Sequence, residues 1–93
     1  MLAIVAKLKA KPGLGAELAQ KMVEIATEVR KEPGNHAYSI HLSKADPDLV
    51  MVYEQYTDED ALAAHRQNMK EMRVDLSALL AGRPEIEQFE LRG

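Results

Sequence analysis

The spacing of apolar side chains along the chain predicts four β-strands. Strands are expected at residues 2–9, 36–44, 49–56 and 85–91, where apolar residues alternate with other residues or form short runs. The third of these strands is apolar on both of its faces, which is typical of a strand that is covered on both sides. The short connection Asp46-Pro47-Asp48 predicts that the second and third strands form an antiparallel hairpin.

Two further segments have the three- and four-residue apolar spacing of an amphipathic helix. The first is predicted from about Leu14 to Lys31, and Pro33 with the glycine after it ends the helix. The second is predicted to start near Asp58, because Thr57 and Asp60 match the capping-box pattern. Its inner stripe consists of Leu62, His65, Met69 and Met72. A further helical turn or two is expected over residues 75–80.

The predicted order is strand, helix, strand, strand, helix, strand, over a single domain of residues 1–93. This is the order of the ferredoxin-like α+β fold, with one antiparallel sheet and both helices on the same face. The third strand nevertheless places Leu49, Met51 and Tyr53 on one face and Val50 and Val52 on the other. A second copy of the sheet is the simplest cover for the face without helices. We therefore predict a homodimer, in which two sheets form a dimeric α+β barrel.

Composition excludes several classes of function. The chain has no cysteine, which removes thiol chemistry, iron–sulfur clusters and cysteine-based zinc sites. Its net charge is −3, and 12 basic and 15 acidic residues are spread along the chain, which argues against nucleic-acid and acidic-membrane partners. No apolar run is long enough to span a bilayer. The amino-terminal residues lack the order of a signal peptide, and we expect a cytoplasmic location.

Glu54 is the first candidate for a chemical role. A carboxylate within an apolar strand is costly to bury unless it is paired or protonated. It could instead reach solvent, or an arginine of the dimer partner. Tyr56 shares its face, because strand side chains alternate. His65 lies on the apolar stripe of the second helix, where it is either a hydrogen-bonded core residue or a partner of Glu54 in proton transfer.

Asn35 and Tyr38 are candidates at the start of the second strand. Asn35 suits the turn there because asparagine tolerates left-handed backbone geometry, and its amide could equally bind a substrate oxyanion. Tyr38 either points into the same cavity or packs as a strand aromatic. The methionines, Met69 among them, suit an adaptable apolar pocket as well as an ordinary core. His36 and His41 lie on opposite faces of one strand, so no metal site is predicted.

Taken together, these residues resemble the antibiotic biosynthesis monooxygenase family, and most closely its quinol-monooxygenase-like members. The resemblance rests on Pro33-Gly34-Asn35-x-x-Tyr38, Asp46-Pro47, Glu54-x-Tyr56-x-Asp58-Glu59 and His65 in this order. It implies a dimeric barrel that oxidises a phenolic, quinol or polyketide-like aromatic substrate with O2, without flavin, haem or metal. The implied catalytic residues are Asn35, Glu54 and His65, and the implied substrate-binding residues are Tyr38, Tyr56 and Met69.

Two features of the chain bear on the reaction. The family often has tryptophan where this chain has Tyr56, and the chain has no tryptophan at all. Haem-degrading relatives use an asparagine of the first strand, which residues 2–9 lack, so haem degradation is disfavoured. Two alternatives stay open: an isomerase or other proton-transfer enzyme acting on a small, possibly phosphorylated metabolite, and a non-catalytic ligand-binding dimer.

Overall fold

A computed structural model describes all 93 residues and contains one four-stranded antiparallel sheet with two helices. The elements are β1 (Leu2–Lys9), α1 (Gly15–Val29), β2 (Asn35–Leu42), β3 (Leu49–Tyr56), α2 (Glu59–Glu71) and β4 (Glu85–Glu90). The strands are ordered β2-β3-β1-β4, so β1 and β3 are central. The ferredoxin-like β-α-β-β-α-β fold predicted from the sequence is confirmed.

The main core lies between α1 and the sheet. On α1, the apolar stripe is buried as predicted, with Leu18 and Val29 fully enclosed. On β3, Val50 and Val52 face the helix and are also fully enclosed. The opposite face of β3 carries Leu49, Met51 and Tyr53, which are only half-buried. The strand is therefore apolar on both faces, and one of these faces has no cover within the chain.

Helix α1 begins against the turn that joins β2 and β3. The start of the helix is capped by a residue far away along the chain. The Asp48 carboxylate accepts hydrogen bonds from the backbone amides of Gly13 and Gly15 at 3.1 and 3.0 Å. A Cβ at Gly15 would lie 1.8 Å from the carbonyl oxygen of Pro47, so only glycine permits this approach. The helix ends at Val29, slightly before the predicted end at Lys31.

The start of α2 corrects one detail of the sequence prediction. Asp58, and not Thr57, is the N-cap residue, and its side chain accepts from the amide of Ala61 at 2.9 Å. The Thr57 hydroxyl instead lies 2.7 Å from Nε2 of His36. Residues 75–80 form one turn and then a bridge from Leu80 to Ala10, the residue after β1, and not a second helical segment. Neither helix has the length and apolar character that crossing a membrane would require.

A buried carboxylate and histidine cluster as the candidate functional site

Residue alternation along β3 places Glu54 and Tyr56 on the face that meets the helices. In the sheet register Glu54 lies opposite Ile4 of β1 and Tyr38 of β2, at the centre of the sheet. His65 reaches the same region from the inner face of α2. Glu54 and His65 are each only 7% exposed, and both tyrosines are buried. Two ionisable groups are therefore enclosed with two aromatic rings.

The contacts within this group are close and specific. The Tyr56 hydroxyl donates a hydrogen bond to Oε1 of Glu54 at 2.7 Å. Nε2 of His65 lies 3.8 Å from the same oxygen, which is close but longer than a hydrogen bond. The centroid of the His65 ring lies 5.0 Å from that of Tyr56 and 5.8 Å from that of Tyr38. The predicted proximity of Glu54 and His65 is thus present in the structure.

A second carboxylate, which the sequence analysis missed, lies on the other side of His65. Nδ1 of His65 is 3.1 Å from both carboxylate oxygens of Glu32. The side-chain amide of Asn68 donates to Oε2 of Glu32 at 2.6 Å. We define the buried cluster as Glu32, Tyr38, Glu54, Tyr56, His65 and Asn68. An imidazole held between two carboxylates can take up or release a proton with little movement.

Two signals in the sequence could have revealed these partners. Glu32 lies just beyond the C-terminal end of α1, where the helix dipole disfavours a carboxylate. A carboxylate in this position suggests a donor elsewhere in the fold. Asn68 is three residues after His65 on α2, so both side chains lie on the same side of that helix.

The hydrogen bonds also indicate which tautomer a neutral His65 adopts. A neutral imidazole has one N–H, and only Nδ1 has an acceptor within hydrogen-bond distance, the carboxylate of Glu32. A neutral ring therefore carries its hydrogen on Nδ1 and leaves Nε2 without one. Glu32 thus lies within hydrogen-bond distance of two donors, Nδ1 of His65 and the side-chain amide of Asn68.

Burial shifts the acid–base behaviour of the cluster. The pKa of Glu54 is raised, mainly because burial disfavours its charged form, and the charge of Glu32 acts in the same direction. The hydrogen bond from Tyr56 and the charge of His65 oppose this rise. Burial also raises the pKa values of Tyr38 and Tyr56, and the charge of Glu54 raises them further. Both phenols therefore stay protonated at neutral pH.

Asn35 and Met69, two of the predicted site residues, lie outside these contacts. The Asn35 side chain donates to the carbonyl oxygen of Ala37 at 2.9 Å and to that of Gln55 at 3.5 Å. It thereby holds the irregularity where the pairing of β2 with β3 shifts register. Met69 packs against the main core. The structure brings together Glu54, His65, Tyr38 and Tyr56.

A groove between the two helices borders the cluster. The interhelical groove has a volume of about 430 Å³. One wall is formed by residues at the end of α1 and in the connection that follows it, and the other wall is formed by one side of α2. Glu32 and Asn68 belong both to its lining and to the buried cluster. Gly34 allows the two walls to approach, because a Cβ there would lie 2.4 Å from Cβ of Ala61. No group of three or more His, Asp or Glu side chains is arranged to hold a metal ion.

Comparison with known proteins places this geometry in context. The family model described as antibiotic biosynthesis monooxygenase matches residues 1–73. No curated protein sequence matches the chain. The crystal structure of PA3566 from Pseudomonas aeruginosa is similar, with a TM-score of 0.87 and 26% identity over 99% of this chain and 94% of that one.

Two other solved structures are similar in fold. Rv0793 from Mycobacterium tuberculosis has a TM-score of 0.86 and 20% identity, covering 99% of this chain and 95% of that one. A structure described as an antibiotic biosynthesis monooxygenase has a TM-score of 0.82 and 19% identity, with both chains fully covered. At these identities the two structures show the fold alone.

Proposed function

The chain belongs to the antibiotic biosynthesis monooxygenase family, and we propose that it oxidises a small phenolic, quinol or polyketide-like aromatic substrate with O2 without a bound cofactor. The observation that carries this proposal is the buried cluster, in which His65 lies between the carboxylates of Glu32 and Glu54. Burying Glu54 and His65 in so small a domain is costly, and a core could be filled by apolar residues instead. Proton transfer accounts for their presence.

The chemistry requires no electron carrier beyond the substrate itself. Removing the hydroxyl proton of a phenol gives an electron-rich phenolate that can reduce O2. A carbon–oxygen bond then forms on the ring, and the hydroperoxide breaks down to a quinone and water. One oxygen atom of O2 enters the product and the other leaves as water, while the substrate supplies all the electrons. The protein has to bind the ring, accept the proton and exclude bulk water.

The residues of the cluster suit these tasks. Glu54 and His65 form an acid–base pair in contact with Glu32, and the rings of Tyr38 and Tyr56 lie beside the imidazole. Stabilisation of the substrate oxyanion by Asn35 is also part of the proposal. The amide donor of Asn35 already binds Ala37, so this role requires that the donor be shared or released. We assign Met69, which packs against the main core, to the apolar wall of the substrate site on its core side.

The charges of the groove favour this reaction over isomerisation of a phosphorylated metabolite. Two carboxylates, Glu28 and Glu32, line the interhelical groove with only one cation, Lys31, which is paired with Glu28 at 3.2 Å. Arg66 and Lys70 are exposed and do not line it. An anionic ligand would be repelled there. A proton-transfer enzyme acting on a neutral substrate would use the same cluster, and O2 consumption distinguishes the two.

We also propose that the protein acts in the cytoplasm as a homodimer that joins the open faces of two sheets. On this face Val5 lies opposite Tyr53 in the two central strands, and Ala3 lies opposite Phe89. Phe89 is 46% exposed, so a large aromatic side chain on this face has little cover within the chain. Light scattering at micromolar concentration should give the mass of two chains, whereas a stable monomer would contradict the dimer.

An oxygen electrode tests the proposed activity. Dialysed protein treated with a metal chelator should consume O2 in the presence of a quinol or dihydroxyaromatic, faster than the compound oxidises alone. His65→Gln should lower this rate by about 10²–10⁴-fold, the usual contribution of a positioned base, and Asn35→Ala by about 10²-fold if it binds the oxyanion. Lys70→Ala, an exposed position on the same helix, is the control. Uptake at the autoxidation rate in the parent protein would contradict the proposal.

A further inference from the structure

The interhelical groove and the buried cluster meet at Glu32, which gives this residue a special position. His65 and Glu54 are 7% exposed and do not line the groove, so a molecule in the groove does not reach them directly. Glu32 and Asn68 are the two members of the cluster that line the groove. A ligand that enters there meets the Glu32 carboxylate before any other ionisable group of the cluster.

The hydrogen bonds of Glu32 determine what kind of group it can bind. Its oxygens accept from His65 at 3.1 Å and from Asn68 at 2.6 Å, so the carboxylate is held in a fixed orientation with both donors on the protein side. A carboxylate has about four lone-pair sites, so acceptor capacity remains for a hydrogen-bond donor from the groove. A hydroxyl group satisfies this requirement, whereas a carboxylate or phosphate ligand does not.

The rest of the groove suits a flat apolar body. Its walls include Pro33, Ala61, Ala64 and Met72, and a methionine thioether packs favourably at the edge of an aromatic ring. The volume of about 430 Å³ lies in the lower part of the range of small-molecule sites, roughly 300–1,000 Å³. A molecule of one or two fused rings fits this space. Glu28 and Lys31 neutralise each other at the rim.

We propose that the interhelical groove binds a small aromatic molecule through its ring hydroxyl, and that Glu32 accepts the hydrogen bond from this hydroxyl. His65 and Asn68 act as positioning residues that hold Glu32 for this contact. This inference deepens the proposed function. It rests on that proposal in one respect, namely that the bound molecule is the substrate. It assigns the first contact with the substrate hydroxyl to Glu32 and not to His65.

Binding can be measured without turnover, under exclusion of O2. We would titrate ¹⁵N-labelled protein with 2-naphthol and with 2-methoxynaphthalene, two probes that differ in whether the ring oxygen carries a hydrogen. The amides of Gly34, Ala61 and Ala64 should shift with 2-naphthol, and its Kd should be about 10-fold lower than that of the ether. Such a preference is typical of one hydrogen bond to a charged acceptor.

Matched variants then assign the preference to one residue. Glu32→Gln keeps the shape of the side chain and should reduce the 10-fold preference for 2-naphthol to about 3-fold or less. Glu28→Gln removes a carboxylate from the same groove that does not contact His65, and should leave the preference unchanged. Equal affinity of the parent protein for both probes, shifts confined to the open sheet face, or an unchanged preference in Glu32→Gln would each overturn the assignment.

The outcome is separable from that of the oxygenase proposal. If binding depends on the ring hydroxyl and on Glu32 but no O2 is consumed, only the oxygenase proposal is contradicted, and the groove remains the assigned binding site. O2 consumption that Glu32→Gln leaves unchanged would contradict the role of Glu32 alone.

Discussion

Replacing Tyr56 by phenylalanine removes one hydroxyl group from the centre of the buried cluster and keeps the ring. Tyr56 is fully buried, and its hydroxyl donates to Oε1 of Glu54 at 2.7 Å. The variant therefore leaves a buried carboxylate without its nearest donor. Hydrogen bonds to charged groups contribute roughly 1.5–3 kcal/mol, so we expect the free energy of unfolding to fall by about 2 kcal/mol at pH 7.

The loss should shrink as the pH is lowered. The pKa of Glu54 is raised, so its carboxyl group takes up a proton in the folded protein at a higher pH than an ordinary glutamate. Once it is protonated, the bond from Tyr56 joins two neutral groups and contributes only about 1 kcal/mol. The difference between the parent protein and Tyr56→Phe should therefore be larger at pH 7 than at pH 4.5.

The chain offers a matched control in Tyr38→Phe. Tyr38 is also buried and its ring also lies beside His65, but its hydroxyl makes no hydrogen bond to Glu54. Its removal should therefore cost less stability than the removal of the Tyr56 hydroxyl, and the loss should not depend on the bond to Glu54. All three proteins are compared by urea unfolding at one fixed protein concentration, because the stability of the proposed dimer would depend on concentration. If Tyr56→Phe and Tyr38→Phe lose the same stability at both pH values, the reasoning about the Glu54 contact is wrong.

Three further predictions follow from the same structure. In the parent protein the free energy of unfolding should decline as the pH rises from 4.5, the ordinary pKa of glutamate, through the raised pKa of Glu54, because the unfolded state releases that proton at a lower pH than the folded state. Urea unfolding of Glu54→Gln should lack this part of the decline. Equal dependence of stability on pH in the two proteins would contradict the burial of a charge. Gly15→Ala should destabilise the fold by about 3 kcal/mol in urea unfolding, since its Cβ would collide with the Pro47 carbonyl; a loss under about 1 kcal/mol would contradict the close approach. Val5→Lys should convert the proposed dimer to a monomer in light scattering, because it places a charge at the centre of the open face. A dimer mass that the substitution leaves unchanged would exclude this face as the interface.

The fold was predictable because each element carries its own signal in the sequence. The two-residue period of the strands and the apolar stripe of α1 depend only on local spacing, and both are present in the structure. The choice between Thr57 and Asp58 as N-cap residue was not predictable from the pattern alone. Either side chain can cap a helix, and in the structure Asp58 does so while the Thr57 hydroxyl contacts His36 of β2.

The candidate site was only partly predictable, for a related reason. Glu54 and His65 were recognisable because a polar residue within an apolar pattern is visible in a single element. Glu32 lies outside any apolar pattern, in the connection after α1, and its partners are 33 and 36 residues away along the chain. Only the packing of α2 beside the end of α1 brings them together. The structural role of Asn35 likewise depends on the irregular pairing of β2 with β3.

Labelling with ¹⁸O₂ tests the central claim most directly. The parent protein, free of added cofactor, would be incubated under ¹⁸O₂ with a quinol that it consumes, and the product would be reduced and acetylated at once to prevent exchange of oxygen with water. A monooxygenase that draws its electrons from the substrate should place one ¹⁸O atom in each product molecule and the other in water, and His65→Gln should slow the labelling in proportion to O2 uptake. A product without ¹⁸O, accompanied by hydrogen peroxide or formed no faster than without protein, would contradict the account.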